Sequence, residues 1–193
     1  MSLAEQTLQQ YLTELAAKTS TPGGGAVAAV NGAQAAGLIS MVANFSEKTL
    51  DTRQRQDILD ITATASERYM TLADQDAANF AHLMKCYQQG SGIQDALKGA
   101  AQPPMDCLDL TMDLVPHLQR IAAAGNKNLI TDTGIAASLL QSTMTASELN
   151  ILINLRSIKD TAFITAGKAK LAKYAPTKNL LNDILSKVVQ DLA

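Results

Sequence analysis

Hydrophobic side chains recur every three or four residues along nearly the whole chain, the spacing that places them on one face of an α-helix. Leu8, Leu12 and Leu15 predict a first amphipathic helix over roughly residues 4–18. No stretch alternates between apolar and polar residues over more than a few positions, so no strand is predicted. The pattern indicates an all-α fold: a single-domain helical bundle over residues 1–193 with two long buried central helices.

The segment from Pro22 to Ser46 contains no charged residue and predicts the first buried helix, which ends near Lys48. Small residues recur every four positions along it, at Ala28, Gly32, Ala36 and Ser40. They form a face on which another helix can approach closely. Gly23, Gly24 and Gly25 precede this helix, whose free N–H groups and positive dipole end suit an anion. A tight turn with close packing would explain the same glycines.

The same uncharged segment is about as long as a membrane span. Asn31, Gln34 and Asn44 lie inside it, its apolar residues are mostly Ala and Val, and no cluster of Lys or Arg flanks it. A buried helix of a soluble protein is therefore favoured, with no membrane partner. The first residues, from Met1 to Glu5, also lack the basic and apolar regions of a signal peptide.

A long third helix is predicted from Thr52 to Tyr87, and one carboxylate interrupts its apolar stripe. The stripe consists of Ile58, Ile61, Ala65, Tyr69, Leu72, Phe80, Leu83 and Tyr87. Asp76 falls on the same face. A buried carboxylate is costly unless it is paired or hydrogen-bonded, so Asp76 has a partner, a raised pKa or a place at the rim of a cleft. A partly exposed Asp at a kink is the equal alternative.

The following segment predicts two helices, a short one from Ile93 to Gln102 and another that begins at Pro103 and Pro104. Pro116 should kink the second of these helices. A turn then begins at Gly125, and Thr131 or Asp132 is a plausible N-cap for the next helix.

The second buried helix is predicted from Thr133 to Leu155, where Glu148 is the one charged residue. Uncharged polar residues form a file along it: Thr143, Ser147, Asn150 and Asn154. Buried amides must find partners, either on other helices, across a subunit contact, or on the edge of a flat heteroaromatic ligand. The chain should end in two helices, residues 160–174 and 179–192, separated by Pro176.

Composition excludes several functions. The formal net charge is −2 and no basic stripe is present, which argues against nucleic acid as a partner. The two cysteines and two histidines lack metal-ligand spacing, so we expect no metal site, and Cys86 and Cys107 are expected to be thiols of a cytoplasmic protein. No phosphate-loop lysine follows the glycines and no strand precedes them.

Two separated blocks of sequence resemble the formiminotetrahydrofolate cyclodeaminase family, which includes methenyltetrahydrofolate cyclohydrolases. The first block runs from Pro22 through the three glycines to Met41-Val-Ala-Asn-Phe. The second is Gly125-Asn-Lys-Asn-Leu-Ile-Thr-Asp-Thr-Gly-Ile-Ala-Ala, followed by Asn150-Ile-Leu-Ile-Asn-Leu. Weaker matches lie between them, at Asp76-Ala-Ala-Asn-Phe and Ala100-Ala-Gln-Pro-Pro.

The resemblance implies an all-helical homodimer that acts on the one-carbon unit of a tetrahydrofolate derivative, with no metal or redox cofactor. In the deaminase reaction, N10 attacks the formimino carbon on N5 and ammonia leaves to give the 5,10-methenyl product. In the cyclohydrolase reaction, water adds to that methenyl carbon and the ring opens to 10-formyltetrahydrofolate. Both reactions require proton transfer, which a positioned carboxylate can perform.

The resemblance also implies roles for particular residues. Asp132 is the first candidate for proton transfer or for binding the pterin, and Asp76 is the second acid. The expected substrate-binding residues are Pro22, Gly23, Gly24, Gly25, Asn44, Lys48, Asn126, Asn128 and Asn154. Among them, the glycines would bind a folate carboxylate through backbone N–H groups, Lys48 would contact the carboxylate tail, and the last three amides would bind the pterin or the one-carbon unit.

Two departures from the family pattern matter. Ala26 stands where Ser is common, and the Glu47-Lys-Thr-Leu stretch is less basic than the family's usual one. These departures favour an alternative hypothesis, in which the chain is a non-catalytic helical dimer that binds a small anion or a protein.

Overall fold

The computed structural model describes residues 2–193, and within them the chain forms six α-helices and no strand. These are α1 (Leu8–Leu15), α2 (Gly24–Asn44), α3 (Thr52–Gln89), α4 (Ile93–Ala124), α5 (Ile130–Leu155) and α6 (Thr161–Leu192). Short 3-10 helices precede α1 and α5, at Leu3–Glu5 and Lys127–Leu129. The all-α prediction is confirmed. Met1 lies outside the described residues. It is the first residue of the predicted domain and of the segment compared with signal peptides.

Helix α1 is shorter than the predicted span of 4–18. It begins late because Thr7 caps it in a reciprocal pair of hydrogen bonds with Gln10. Tyr11 is its buried residue, whereas Leu8 is 67% exposed and Leu12 is 48% exposed. Most of the apolar face that predicted this helix therefore does not contribute to the core.

Helix α2 is the central element and packs against α3, α4 and α5. It runs antiparallel to α5, because Thr143 near the middle of α5 donates to the Ala28 carbonyl at 3.1 Å, while Asn126 before α5 donates to the Phe45 carbonyl at 2.9 Å. The small-residue face does allow close approach. A Cβ atom on Gly32 would lie 2.4 Å from the ring of Tyr69, which is fully buried.

Helix α2 is the one described helix that is long and apolar enough to span a membrane by length and composition, and half of its most apolar window is buried inside the fold. Buried core helices of soluble proteins share both properties.

Two predicted helix breaks were wrong. Pro103 and Pro104 lie inside a continuous α4, although each lacks the N–H that would bond to the carbonyl four residues earlier. Side-chain amides replace these bonds: Asn79 donates to the Gly99 carbonyl at 2.8 Å, and Asn154 approaches the Ala100 carbonyl at 3.5 Å. The helix continues because tertiary partners satisfy the carbonyls that the prolines free.

Pro176 likewise lies inside α6, which was predicted as two helices. Pro176 and Ala172 are both exposed, so the carbonyl of Ala172 can bond to water instead.

The predicted N-cap of α5 was also wrong. The helix begins at Ile130, so Thr131 and Asp132 lie within its first turn rather than before it. Asn126 caps the preceding 3-10 turn, where its side-chain oxygen accepts a hydrogen bond from the Asn128 N–H at 3.0 Å. A negative charge on Asp132 at this end of α5 interacts favourably with the positive end of the helix dipole.

Candidate functional site

A cavity of about 460 Å³ opens beside the start of α2. Four helices and the loop before α2 contribute to its wall. The residues that line it are Ser20, Thr21, Gly23, Gly24, Gly25, Asp76, Phe80, Leu83, Met84, Tyr87, Leu97, Ala100, Asn150, Ile153, Asn154 and Ser157. This volume is in the range of pockets that bind small molecules.

Asp76 is the acid of this cavity, and its carboxylate contacts the glycine turn. A Cβ atom on Gly25 would lie 2.2 Å from Asp76 Oδ1, so a residue without a side chain is needed there. Burial raises the pKa of Asp76 to about 6, and interaction with the backbone N–H of Ala26 partly offsets that effect. A carboxyl group with this pKa exchanges protons readily near neutral pH.

The anion next to the start of α2 is thus a side chain of the same molecule. The Asp76 carboxylate lies at the positive end of the helix dipole, where a folate carboxylate was predicted to bind. The raised pKa and the cleft position are two of the outcomes expected for Asp76 from its place on an apolar stripe. The folate contact of Gly23 and Gly24 stays a prediction.

Two amides of α5 face the same cavity. Asn150 Nδ2 donates to the Ala146 carbonyl and Asn154 Nδ2 donates to the Asn150 carbonyl, each at 2.8 Å. Because a carbonyl partner accepts only from the NH₂ end of an amide, these bonds fix both side-chain orientations. The two Oδ1 atoms have no protein donor among the described residues and can accept hydrogen bonds from a ligand.

The outer wall of the cavity comes from the last turns of α3. Phe80 is 37% exposed, Met84 39% and Tyr87 46%. The apolar stripe of α3 had suggested core packing for Phe80 and Tyr87, but they form an accessible rim. Their helical spacing from Asp76 was the signal that could have identified them as site residues.

Other predicted site residues lie at the opposite end of α2 and α5. Asn44, Lys48 and Asn128 are exposed, and Asp132 is half-buried. Asp132 and Asn150 are about 27 Å apart along α5, given a rise of ~1.5 Å per residue. The fold of a single chain therefore brings Asp76 and Asn154 to the glycine turn, whereas it does not bring Asp132 there.

Asn126 joins elements at that opposite end. Its side chain donates to the Phe45 carbonyl at 2.9 Å, and its backbone N–H donates to Ser46 Oγ at 2.8 Å. It also borders a second cavity of about 800 Å³ between the end of α4, the start of α5 and the end of α6. Lys127, Lys187 and Asp191 are the charged residues of that lining.

The cysteines, Cys86 and Cys107, are buried free thiols. Across residues 2–193, no three His, Cys, Asp or Glu side chains are grouped as a metal ion would require.

These features define the class of protein: an all-helical bundle with a half-buried acid and two amide acceptors beside a glycine turn. The same fold occurs in the crystal structure of a formiminotetrahydrofolate cyclodeaminase from Thermotoga maritima, which matches with a TM-score of 0.92 and 32% identity over 98% of each chain.

A family model described as formiminotransferase-cyclodeaminase matches residues 7–173. The chain belongs to this family, as the glycine and Gly125 blocks predicted.

Two relatives have different activities in their names. A methenyltetrahydrofolate cyclohydrolase of Methylorubrum extorquens is 26% identical over 96% of this chain and 96% of that protein. A formimidoyltransferase-cyclodeaminase of Mus musculus is 30% identical over 84% of this chain, which spans only 33% of the mouse protein.

Proposed function

We propose that this chain is a folate one-carbon enzyme, either a formiminotetrahydrofolate cyclodeaminase or a methenyltetrahydrofolate cyclohydrolase, and that its reaction takes place in the Asp76 cavity. The relatives with these activities in their names support the substrate class. The observation that carries the choice of site is Asp76, a cavity carboxyl group with a pKa of about 6.

In the deaminase reaction, ionised Asp76 accepts the N10 proton as N10 forms a bond to the formimino carbon. Asp76 then returns that proton to the former imino nitrogen, and the bond between carbon and this nitrogen breaks to release ammonia. A pKa near the working pH suits an acid that must both accept and donate, and such catalysis contributes about 10²–10⁴-fold.

In the cyclohydrolase reaction, Asp76 accepts a proton from the water that adds to the methenyl carbon. The carbon–N5 bond then breaks as N5 takes the proton from Asp76. The ionised Asp76 accepts the remaining proton of the carbinol hydroxyl, which becomes the formyl C=O of 10-formyltetrahydrofolate, and releases that proton to solvent. Both reactions pass through a tetrahedral adduct at the same carbon and need the same acid, which is why one cavity can support either.

A direct assay separates the two activities. The purified chain is given 5-formiminotetrahydrofolate or 5,10-methenyltetrahydrofolate, and methenyl absorbance is followed. Appearance of the absorbance with the first substrate indicates cyclodeaminase, and accelerated loss with the second indicates cyclohydrolase. No turnover of either substrate would contradict the proposed function and favour the non-catalytic dimer.

We further propose a homodimer that forms through the outer face of α5. Ile135 is 50% exposed, Leu149 63% and Ile153 60%, and their spacing puts all three on one face of the helix. The middle of this face is Ser142, which is also exposed. An antiparallel pairing of two α5 helices about a two-fold axis near Ser142 would bury the face.

This pairing also accounts for Asp132. Because the paired helices run in opposite directions, the Asp132 end of one copy would lie beside the cavity end of the other. Ile153 belongs both to the exposed face and to the cavity wall, which supports a site that adjoins the dimer contact. Size-exclusion chromatography with light scattering tests this proposal, and a monomer at micromolar concentration would contradict it.

A further inference from the structure

The charge of the Asp76 cavity is negative. Asp76 is its one carboxylic acid, and among the described residues no lysine, arginine or histidine lines it. The start of α2 contributes a partial positive charge of about half a unit, which is smaller than the full charge of an ionised carboxylate. The cavity is therefore better suited to a cationic group than to a neutral or an anionic one.

The amides strengthen this preference. The Asn150 and Asn154 Nδ2 groups are engaged with backbone carbonyls, so both side chains offer oxygen atoms to the cavity. Amide oxygens carry partial negative charge and accept hydrogen bonds from N–H donors. Together with Asp76 they form an acceptor-rich inner wall.

The rim adds aromatic faces. Phe80 and Tyr87 lie on α3 about one and three turns beyond Asp76, and both line the cavity. Aromatic rings attract cations through the negative face of the π system. Met84 adds a polarisable sulfur between them.

We propose that this cavity selects the cationic one-carbon forms of tetrahydrofolate over the neutral ones, through Asp76, the Asn150 and Asn154 oxygens and the aromatic rim. This inference rests on the proposed function. The 5-formimino group is an amidinium at neutral pH, and the 5,10-methenyl bridge shares a positive charge between N5 and N10. The 5-formyl and 10-formyl derivatives carry no such charge.

The selection has a consequence for turnover. Hydrolysis of the methenyl bridge removes the positive charge, so the 10-formyl product loses its attraction to Asp76 and leaves. The glutamate tail of the substrate is anionic, so we expect it to lie away from the Asp76 carboxylate.

The test compares two folates of similar size and different charge. Binding of 5,10-methenyltetrahydrofolate is measured by rapid mixing before turnover, and binding of 5-formyltetrahydrofolate is measured by competition. The wild-type chain should bind the methenyl cation at least tenfold more tightly. In Asp76→Asn, the ratio of the two affinities should fall to within about threefold of unity. Binding of the methenyl cation weakens, while binding of the neutral 5-formyl derivative is retained.

Two further variants sharpen the experiment. Asp57→Asn removes an exposed acid from the same helix, about 28 Å away at ~1.5 Å per residue, and should leave the ratio unchanged. Phe80→Leu should reduce only cation binding, by about twofold to fivefold. Far-ultraviolet circular dichroism of each variant confirms that the helices are retained.

Each outcome is decisive. Equal affinity of the wild type for the two folates, or an equal loss of both in Asp76→Asn, would overturn charge selection and leave the proposed function intact. Failure of both folates to bind would overturn the proposed function, and charge selection with it.

Discussion

The Asp76 carboxylate occupies the space into which a side chain at position 25 would extend: a Cβ atom on Gly25 would lie 2.2 Å from Asp76 Oδ1 and 2.3 Å from its Cγ. The contact joins residues from two helices at the mouth of a cavity. Asp76 therefore has a fixed position beside the start of α2, and the glycine that permits this position is part of the site.

Gly25→Ala should displace the Asp76 carboxylate and reduce turnover by at least tenfold, because real Cβ atoms essentially never approach other atoms so closely. Steady-state kinetics with either folate substrate would measure the loss. Gly37→Ala is the matched control, since Gly37 is exposed on the same helix and a Cβ there meets nothing within 4 Å. The control should keep full activity and gain about 0.5–1 kcal/mol of stability from helix propensity. An active Gly25→Ala enzyme would show that Asp76 need not occupy this position.

Asp76→Asn should stabilise the chain at pH 7.5 and stabilise it by less at pH 4.5. The pKa of Asp76 rises on folding from an ordinary 3.8 to about 6. Between these pH values the folded state binds more protons than the unfolded state. Wild-type stability therefore falls as pH rises from about 4 to about 6. Asparagine carries no charge that must be desolvated, and the gain at pH 7.5 should be on the order of 1–3 kcal/mol. Urea unfolding at both pH values measures it; equal effects at both would exclude a charge-desolvation origin.

Binding of the methenyl cation should strengthen as pH rises from 5 to 7, because ionisation of Asp76 supplies the negative charge. The other titratable groups near Asp76 are Tyr87 on the cavity rim and Cys107 on α4, and burial raises the pKa of Cys107 to about 12. The Cys107 thiol therefore stays neutral in this range. Calorimetry or rapid-mixing titration of the wild type against Asp76→Asn tests the prediction, which a pH-independent wild-type affinity would contradict.

Asn79→Ala should lower the free energy of unfolding by about 1–3 kcal/mol. The Gly99 carbonyl has no backbone donor at Pro103, and this substitution also removes its side-chain donor. Chemical denaturation measures the effect, and Asn179→Ala, at an exposed position of α6, provides the control. If Asn79 contributes nothing to the continuity of α4, the two variants should be equally stable.

Chains that carry Asp132→Asn and chains that carry Asp76→Asn should each lose at least tenfold in turnover, and mixing them should restore part of the activity. In a mixed dimer built through α5, one cavity would receive both aspartates and the other would receive neither. With random pairing, half of the dimers are mixed, and each mixed dimer has one intact cavity out of two. Recovery should therefore reach about a quarter of wild-type activity. Near-normal rates for Asp132→Asn alone would remove this residue from the mechanism.

The all-helical class of the fold followed from the sequence because helical periodicity is a local property of the chain. The charge-free segments predicted α2 and α5, and the stripe on α3 identified Asp76 as an unusual acid before any tertiary contact was known. The prediction of a break in α4 was wrong because it considered the local effect of the prolines alone. Asn79 and Asn154, which lie on other helices, donate to the α4 carbonyls that the prolines leave without a backbone donor.

The sequence by itself determined that the chain is helical, that its glycine turn begins a central helix and that its candidate acids are Asp76 and Asp132. Only the tertiary structure decided which of these residues meet. Gly25 and Asp76 come together because α2 packs on α3, and Asn150 joins them because α5 runs antiparallel to α2. The same antiparallel packing carries Asp132 to the far end of the molecule, since a helix places its two ends apart by its own length.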